Sequence, residues 1–288
     1  MVAIDINKAF DTVPRHLLIE KIRRLNIHVN SKHILANFLS GRTACVLQGQ
    51  VKSKSYKLHN GVPQGAILSP SLFNLFTHDI PSPNHPALQI RSYADDLTIT
   101  SQHSNIHTAT SILQPYLDDI QRWLIQNRME ASPQKSTVTL LTSHTRESHT
   151  HPNVKLYNKL LPLNRTPIIL GLTFDPHMTF SPHIQNIITK VNKKLNALRT
   201  LAGTNFGQKK ETLTSVFRQF IRTNISYASM AWSSDISDTN SQKLETVQNN
   251  ALRIITGCLP STPIHHLRAE TKILPISTHL DMSVQPST

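Results

Sequence analysis

Residues 87–100 read ALQIRSYADDLTIT, with strand-like runs on either side of Tyr93-Ala94-Asp95-Asp96. Such a pattern predicts a β-hairpin whose tip carries two acidic residues. An Asp-Asp pair in a loop is usually a solvated turn. Between two apolar strands, however, paired carboxylates cost desolvation and self-repulsion unless a cation neutralises them. The segment therefore predicts a hairpin, and leaves open whether its tip is an ordinary turn or a cation site.

A third acidic residue closes the first apolar run of the chain. Residues 2–4 predict a buried strand, and Asp5 follows them directly. Magnesium neutralises carboxylates because it prefers hard oxygen ligands. Two such ions about 4 Å apart can stabilise the attacking and leaving oxygens of a phosphoryl displacement. Because a domain rarely opens on a core strand with a functional carboxylate, we expect the chain to begin inside a longer protein.

The charge balance favours a polyanionic partner. The 288 residues include 30 Lys and Arg against 17 Asp and Glu, a formal net charge of +13. This excess attracts nucleic acid, although an ordinary basic protein with a solvated surface is the alternative. The two distant cysteines, Cys45 and Cys258, suggest a reducing compartment. No secretory signal or membrane span is visible, so we expect an intracellular protein.

Hydrophobic spacing predicts a mixed first part and a helical last part. In the first part, one helix is predicted to take Ser31 as its N-cap and to point four side chains inward: Ile34, Leu35, Phe38 and Leu39. Composition changes after Pro176, and we place a boundary near 176–182. Three amphipathic helices follow. Their apolar positions are Ile184, Ile187, Ile188, Val191, Leu195 and Leu198; then Leu213, Val216, Phe217, Phe220 and Ile221; then Leu244, Val247, Ala251, Leu252 and Ile255, with Gly257 as the stop.

Three segments, two of which contain the acidic residues, resemble motifs of reverse transcriptases from non-long-terminal-repeat retrotransposons. Asp-Ile-Asn-Lys-Ala-Phe-Asp at 5–11 is similar to their motif A, and Tyr-Ala-Asp-Asp at 93–96 is similar to their motif C. Gly-Val-Pro-Gln-Gly-Ala-Ile-Leu-Ser-Pro at 61–70 is similar to motif B and is the most distinctive of the three. Together they point to one family of polymerases.

The resemblance extends over nearly the whole chain. Pro-Gln-Lys-Ser at 133–136 resembles motif D, and Leu170-Gly171 with its flanks resembles motif E. Segments 227–232 and 247–253 look like the region after the polymerase domain in jockey-type elements. The five motifs stand in the family's order and spacing, which makes coincidence a poor explanation.

The resemblance implies an α+β fold: a right-hand polymerase palm, an antiparallel sheet backed by helices, followed by a helical thumb-like region. Residues 1–178 would form the palm with part of the fingers, without the N-terminal fingers, and residues 179–288 the thumb-like part. The implied activity is RNA-directed DNA polymerisation, the addition of deoxynucleotides to a primer 3′-hydroxyl. The implied partners are an RNA template, a DNA primer and deoxynucleoside triphosphates, in the nucleus or the cytoplasm and not at a membrane.

The resemblance also implies a metal centre. Asp5, Asp95 and Asp96 match the carboxylates that hold two Mg²⁺ ions, with Mn²⁺ as a substitute. The backbone carbonyl of Ile6 matches an additional oxygen ligand. Asp11 is not one of the three metal carboxylates and is expected to be structural or on the surface.

Five further positions match nucleotide or template contacts. Phe10 matches the aromatic residue under the incoming sugar, where a ring would clash with a 2′-hydroxyl; plain core packing is the alternative. Gln64 and Gly65 match the loop that lines the nucleotide and template, and a simple turn before a helix is the alternative. Tyr93 belongs to the same box as the paired acids. Lys135 matches a cation near the leaving pyrophosphate, with an ordinary surface lysine as the rival interpretation.

The remaining polar clusters allow two interpretations. Histidines at 144, 149 and 151, and Cys258 with the histidines at 265 and 266, lack a convincing four-ligand zinc spacing, so we interpret them as polar surface residues. A group of basic residues after the palm predicts either a face that follows a nucleic-acid backbone or an ordinary solvated helix surface. These residues are Lys190, Lys193, Lys194, Lys209, Lys210, Arg218 and Arg222.

Two alternatives to an active polymerase stay open at this stage. The chain could be a catalytically inactive remnant that binds nucleic acid. It could also be a fragment without a function of its own. The predicted acidic triad favours the enzyme, whereas the absent fingers motifs favour the other two hypotheses.

Overall fold

The structure is a computed structural model that describes residues 1–203 and 206–284. The backbone forms two compact units. The first consists of residues 1–140 and 149–164, and the second of residues 141–148 and the residues from 165 onward.

The first unit mixes short strands with helices. Its strands are β1 (Val2–Asp5), β2 (Thr43–Ala44), β3 (Leu47–Gln48), β4 (Val51–Lys52), β5 (Tyr56–Lys57), β6 (Leu88–Tyr93), β7 (Asp96–Ser101), β8 (Thr137–Val138), β9 (Lys155–Leu156) and β10 (Lys159–Leu160). Its helices are α1 (Ala9–Thr12), α2 (Arg15–Arg24), α3 (Val29–Leu39), α4 (Ser69–Thr77) and α5 (Ile106–Gln126).

The largest sheet of this unit has four antiparallel strands in the order β6-β7-β1-β8. Strand β7 turns back from β6 and pairs with β1, so Ile4 faces Leu97 and Asp5 faces Asp96. Side chains alternate between the two faces of a strand. Ile4 and Leu97 are buried in the core that the sheet shares with helix α5. Asp5 and Asp96 therefore stand on the opposite, more exposed face.

The second unit is mostly helical. Its strands are β11 (Ile168–Ile169) and β12 (Leu172–Thr173), and its helices are α6 (Ser181–Ala202), α7 (Lys210–Val216), α8 (Thr223–Ser226), α9 (Asp238–Thr256), α10 (Ile264–Thr271) and α11 (Ile276–Val284). A π-helical turn, Phe217–Arg222, joins α7 to α8, and two 3₁₀ turns follow at Ser229–Ala231 and Ser233–Asp235. Helices α6 and α9 pack together around one apolar core. Gly257 ends α9 at φ +68°, where its N–H donates to the carbonyl of Arg253, as predicted for a helix stop.

The predicted domain boundary lies near a real change in secondary structure. Helix α6 begins at Ser181, inside the predicted interval 176–182. The compact second unit nevertheless begins earlier, because it includes the β11–β12 hairpin. Within the predicted thumb-like part, residues 204–205 and 285–288 lie outside the described residues. None of the helices in the described part of the chain is long and apolar enough to cross a membrane.

The start of helix α3 differs from its prediction. The N-cap is His28, whose ring nitrogen Nδ1 accepts a hydrogen bond from the N–H of Asn30 at 3.2 Å. Ser31 lies within the helix, and Ile34 is 64% exposed instead of pointing inward. The histidine ring satisfies a free N–H of the first turn, so the helix starts earlier than the serine suggested.

The second predicted amphipathic helix also differs in detail. Phe220 was expected to point inward but is 66% exposed. It lies in the π-helical turn, and the wider i→i+5 spacing of such a turn shifts the residues that follow around the axis. As a result Phe217, Ile221 and Ile225 are buried, at a spacing of four, and Phe220 is not.

Candidate active site

Asp5 and Asp96 are direct cross-strand partners at the end of the sheet. The N–H of Asp5 donates to Ser136 Oγ at 3.0 Å, and its carbonyl accepts a hydrogen bond from the N–H of Ser132 at 2.8 Å. Both backbone groups of Asp5 therefore point away from β7, which makes Asp5 and Asp96 a non-hydrogen-bonded pair. In such pairs the Cα atoms lie about 4.5 Å apart and the side chains approach most closely.

The hairpin tip places a third acid next to this pair. Tyr93 and Asp96 pair across a two-residue turn formed by Ala94 and Asp95. Ala94 adopts φ +52°, in the left-handed region that tight hairpins with well-matched strand twist require. The hairpin predicted from residues 87–100 is thus present, with Asp95 in the turn and Asp96 at the start of β7.

The three acids affect one another electrostatically. Burial raises the pKa of the Asp96 carboxyl, and the negative charges of Asp95 and Asp5 raise the same pKa further. Within the described residues, no three His, Cys, Asp or Glu side chains are gathered closely enough to form a metal cage. The three acids are neighbours at one end of the sheet, where β1 ends and β7 begins. Their oxygen-only donor set suits a hard divalent ion such as Mg²⁺, and its charge would offset their repulsion.

Ile6 continues β1 past the acidic pair. It forms an isolated antiparallel bridge with Ala131. In this bridge the N–H of Asn7 donates to the carbonyl of Glu130, and the N–H of Ser132 donates to the carbonyl of Asp5. Backbone groups alternate in direction along a strand. The carbonyl of Ile6 consequently points to the other side of β1, the side on which β7 begins at Asp96.

Lys135 lies beside the first acid. Its Nζ is 4.0 Å from Asp5 Oδ2, and the two side chains are 70% and 44% exposed. The turn that carries Lys135 is held against β1, because Ser132 and Ser136 both hydrogen-bond the backbone of Asp5. An exposed ion pair of this length contributes little to stability. What matters about Lys135 is its position, which places a cation next to the carboxylates.

Phe10 is packed and only partly accessible. Its ring stacks on Phe73 with centroids 4.6 Å apart and an angle of 19° between the planes. Its carbonyl accepts a hydrogen bond from the N–H of Val62 at 2.8 Å. The ring is therefore fixed in place, which is compatible with both interpretations of Phe10, the steric filter and the core residue.

Gln64 and Gly65 lie on an exposed turn. Gln64 Nε2 donates to Asp11 Oδ1 at 2.9 Å, which ties the turn to the segment after Asp5. This contact gives Asp11 a structural partner. Gly65 adopts φ +79°, and a Cβ added to it would meet nothing within 4 Å among the described residues. The backbone of Gly65 is thus open to an approaching molecule.

Gly61, four residues earlier, is a glycine that the packing of this loop itself requires. It adopts φ +87°, and an added Cβ would lie 2.8 Å from the carbonyl oxygen of Asp11. Its N–H donates to the carbonyl of Val13 at 2.7 Å. Two backbone segments therefore cross here at a distance that no side chain allows.

Arg15 is the site-associated residue that the sequence did not single out. It is the first residue of α2 and is only 8% exposed. Burial, and to a lesser extent the charge of Arg42, lowers the pKa of Arg15, but an arginine stays protonated in proteins. A sequence signal was available, because a basic residue in the first turn opposes the helix dipole and calls for a compensating partner.

The basic residues of the second unit are mostly engaged within that unit. Lys194 donates to the carbonyl of Phe220 and to Asn224, Lys210 pairs with Glu270, Arg218 donates to the carbonyls of Thr271 and Lys272, and Arg222 donates to the carbonyl of Leu274. In these contacts the basic side chains hydrogen-bond or pair with neighbouring helices and loops of the same unit. Lys190 and Lys193 on α6 and Lys209, the N-cap of α7, are exposed.

Residues 1–207 match the family model described as reverse transcriptase (RNA-dependent DNA polymerase). The match covers more than half of the chain, so the chain belongs to the reverse transcriptase family. The antiparallel sheet and the mixture of helices and strands are consistent with a domain of this family.

Three relatives of this chain come from mobile elements of Drosophila melanogaster. It is 28% identical over 263 residues to the probable RNA-directed DNA polymerase from transposon BS, covering 89% of this chain and 29% of that protein. It is 26% identical over 283 residues to the probable RNA-directed DNA polymerase from transposon X-element, covering 96% and 31%. It is 27% identical over 261 residues to the RNA-directed DNA polymerase from mobile element jockey, covering 88% and 28%. The chain thus spans less than a third of the length of these relatives.

Proposed function

We propose that this chain carries the polymerising centre of an RNA-directed DNA polymerase from a non-long-terminal-repeat retrotransposon. The observation that carries the proposal is the cross-strand pair of Asp5 and Asp96 with Asp95 in the adjoining turn. In this assignment the first unit is the palm with part of the fingers, and the helical second unit is the thumb-like region. The template is RNA, the primer is DNA, and the work is done in the nucleus or the cytoplasm.

Asp5, Asp95 and Asp96 would hold two Mg²⁺ ions, or Mn²⁺ as a substitute, with the carbonyl of Ile6 as a further oxygen. When bound, the ions supply stabilisation of the attacking and leaving oxygens of the phosphoryl transfer. Two features support this role. The donors are all oxygen, and the pKa of Asp96 is raised by burial and, in addition, by the negative charges of Asp95 and Asp5, which divalent cations would offset.

Lys135 is assigned to the leaving group. As a cation beside Asp5, it can offset charge on the departing pyrophosphate or donate a proton to it. The support for this role is its place next to the acids, on a turn that is hydrogen-bonded to the backbone of Asp5.

Nucleotide selection is assigned to the segments after the acids. The ring of Phe10, held by its stack on Phe73, would exclude a 2′-hydroxyl and favour deoxynucleotides. Gln64 and the open backbone of Gly65 would line the nucleotide and template. Tyr93, exposed across the turn from Asp96, would contact the same substrates.

Primer extension on an RNA template with labelled deoxynucleotides and Mg²⁺ tests the proposal. Extension by the chain, abolished by Asp95→Asn and retained by Asp119→Asn, is the expected result. Asp119 is a matched control because it is an acid on α5 that pairs with Arg122 of the same helix. Absence of extension with salt-sensitive RNA binding would overturn the enzyme assignment and favour an inactive nucleic-acid-binding remnant.

A further inference from the structure

Arg15 gathers three backbone carbonyls from one irregular segment. Its Nε donates to the carbonyl of Gly61 at 2.8 Å, its Nη1 to that of Leu58 at 2.6 Å, and its Nη2 to that of Asn60 at 2.8 Å. Arginine suits this task because its five donors form a rigid planar fork. A buried charge is tolerated only when it is hydrogen-bonded, so the guanidinium and the segment depend on each other.

The segment from residue 58 to residue 65, called the 58–65 loop below, includes Gln64 and Gly65. It contains no helix or strand, so its carbonyls need partners from elsewhere. Arg15 satisfies three of them. The N–H groups of Gly61 and Val62 reach back to the carbonyls of Val13 and Phe10. The loop is therefore attached to the segment after Asp5 from both sides of its backbone.

We propose that Arg15 is a positioning residue that holds the 58–65 loop, which includes Gln64 and Gly65, at a set distance from Phe10 and the three acids Asp5, Asp95 and Asp96. Arg15 acts through the loop and does not touch substrate. This inference rests on the proposed function, because it takes the loop to line the incoming deoxynucleotide. It adds that the affinity for the nucleotide is set from the first turn of α2.

Arg15→Lys is the informative variant. Lysine keeps the charge but presents one compact ammonium group that cannot bridge three carbonyls. We expect KM for deoxynucleotides to rise about tenfold, which corresponds to the loss of roughly one charge-assisted hydrogen bond. We expect kcat and the Kd for RNA–DNA template–primer to stay within about twofold of the wild-type values, since Asp5, Asp95 and Asp96 are not altered. A general loss of structure would lower kcat and weaken template–primer binding as well.

Arg24→Lys is the matched control. Arg24 lies on the same helix, is exposed and, within the part of the chain that the structure describes, forms its ion pair with the side chain of Glu20. The Arg24→Lys variant should keep the wild-type KM, the wild-type kcat and the wild-type rate of backbone amide hydrogen exchange in the 58–65 loop. Arg15→Gln, which keeps two donors on a shorter side chain, is the second variant if Arg15→Lys fails to fold.

A second readout does not depend on activity. Backbone amide hydrogen exchange of the peptide that covers residues 58–66 should be about tenfold faster in Arg15→Lys than in the wild type, while exchange of helix α5 stays the same. Unchanged exchange in the loop overturns the inference, whether or not the chain polymerises. Faster exchange with an unchanged KM in an active enzyme also overturns it. An inactive wild type with faster loop exchange in the variant rejects the proposed function and confines Arg15 to a structural role, which overturns the inference too.

Discussion

Asp5 and Asp96 face each other across two antiparallel strands in the register that brings side chains closest. Like charges in that position destabilise a sheet, so the fold maintains an unfavourable contact on its exposed face. Such local cost is common where a site is organised for chemistry. The pair explains why the first strand of the chain and the tip of a distant hairpin belong to one site.

Replacing one member of this pair should stabilise the fold and abolish activity. We expect Asp96→Asn to raise the free energy of unfolding by about 0.5 kcal/mol at neutral pH, because the like-charge contact is removed. The raised pKa of Asp96 means that the native state binds its proton more readily than the unfolded chain does. The destabilisation by the repulsion between Asp5 and Asp96 is therefore absent below the pKa that Asp96 has in the unfolded chain. It develops as pH rises through the pKa that Asp96 has in the native state. Denaturant unfolding at acidic and neutral pH checks this; a less stable variant at neutral pH would contradict it.

The two glycines of the 58–65 loop should respond differently to alanine. Both have positive φ, so either substitution strains the backbone by about 1–2 kcal/mol. At Gly61 the new Cβ would also meet the backbone of Asp11 at 2.8 Å, whereas at Gly65 there is open space. We expect Gly61→Ala to cost at least about 1 kcal/mol more than Gly65→Ala in chemical denaturation. Equal losses would show that the crossing at Gly61 is not tight.

The second unit should lose stability as the solution becomes mildly acidic. His183 is buried against Trp232, and burial, followed by the charge of Lys190, lowers the pKa of His183. The native state therefore resists protonation, and stability is complete above the unfolded pKa of about 6.5 and falls as pH drops below it.

Thermal unfolding of the wild type and of His183→Gln at about pH 7.5 and about pH 5.5 measures this effect, on either side of the ordinary histidine pKa. The wild type should lose more stability than the variant on acidification. The same loss in both proteins would assign the acid sensitivity to other groups.

Lys135→Met should reduce turnover without destabilising the protein. The ion pair with Asp5 is long and exposed, so its loss should change the free energy of unfolding by less than about 0.5 kcal/mol. If Lys135 assists the leaving pyrophosphate, kcat should fall about 100-fold. Lys159→Met, an exposed lysine on β10, is the control. A kcat close to that of the wild type would identify Lys135 as an ordinary surface residue.

The elements that could be predicted from sequence were those with a local signal. The acidic hairpin follows from two apolar runs around Asp95 and Asp96, and the end of α9 follows from Gly257. The meeting of Asp5 with the hairpin has no local signal, because it depends on strand pairing across the chain. Only the resemblance to polymerase motifs predicted it.

Three features could not be predicted by these rules. The place of Arg15 in the first turn of α2 signals that it needs a partner, but the partners could not be identified, because backbone carbonyls of an irregular segment leave no trace in residue identity. Phe220 faces outward because a π-helical turn breaks the regular helical period. A histidine at position 28 caps a helix in place of the nearby serine. In each case tertiary context or local hydrogen bonding outweighed the pattern.

Titration with Mn²⁺, followed by electron paramagnetic resonance in the presence of an RNA–DNA template–primer and a deoxynucleotide, tests the central claim most directly. We predict that the wild type binds two ions and that Asp5→Asn, Asp95→Asn and Asp96→Asn each lose at least one of them, whereas Asp119→Asn binds both. Equal Mn²⁺ binding by the wild type and Asp96→Asn would contradict a metal centre at this end of the sheet.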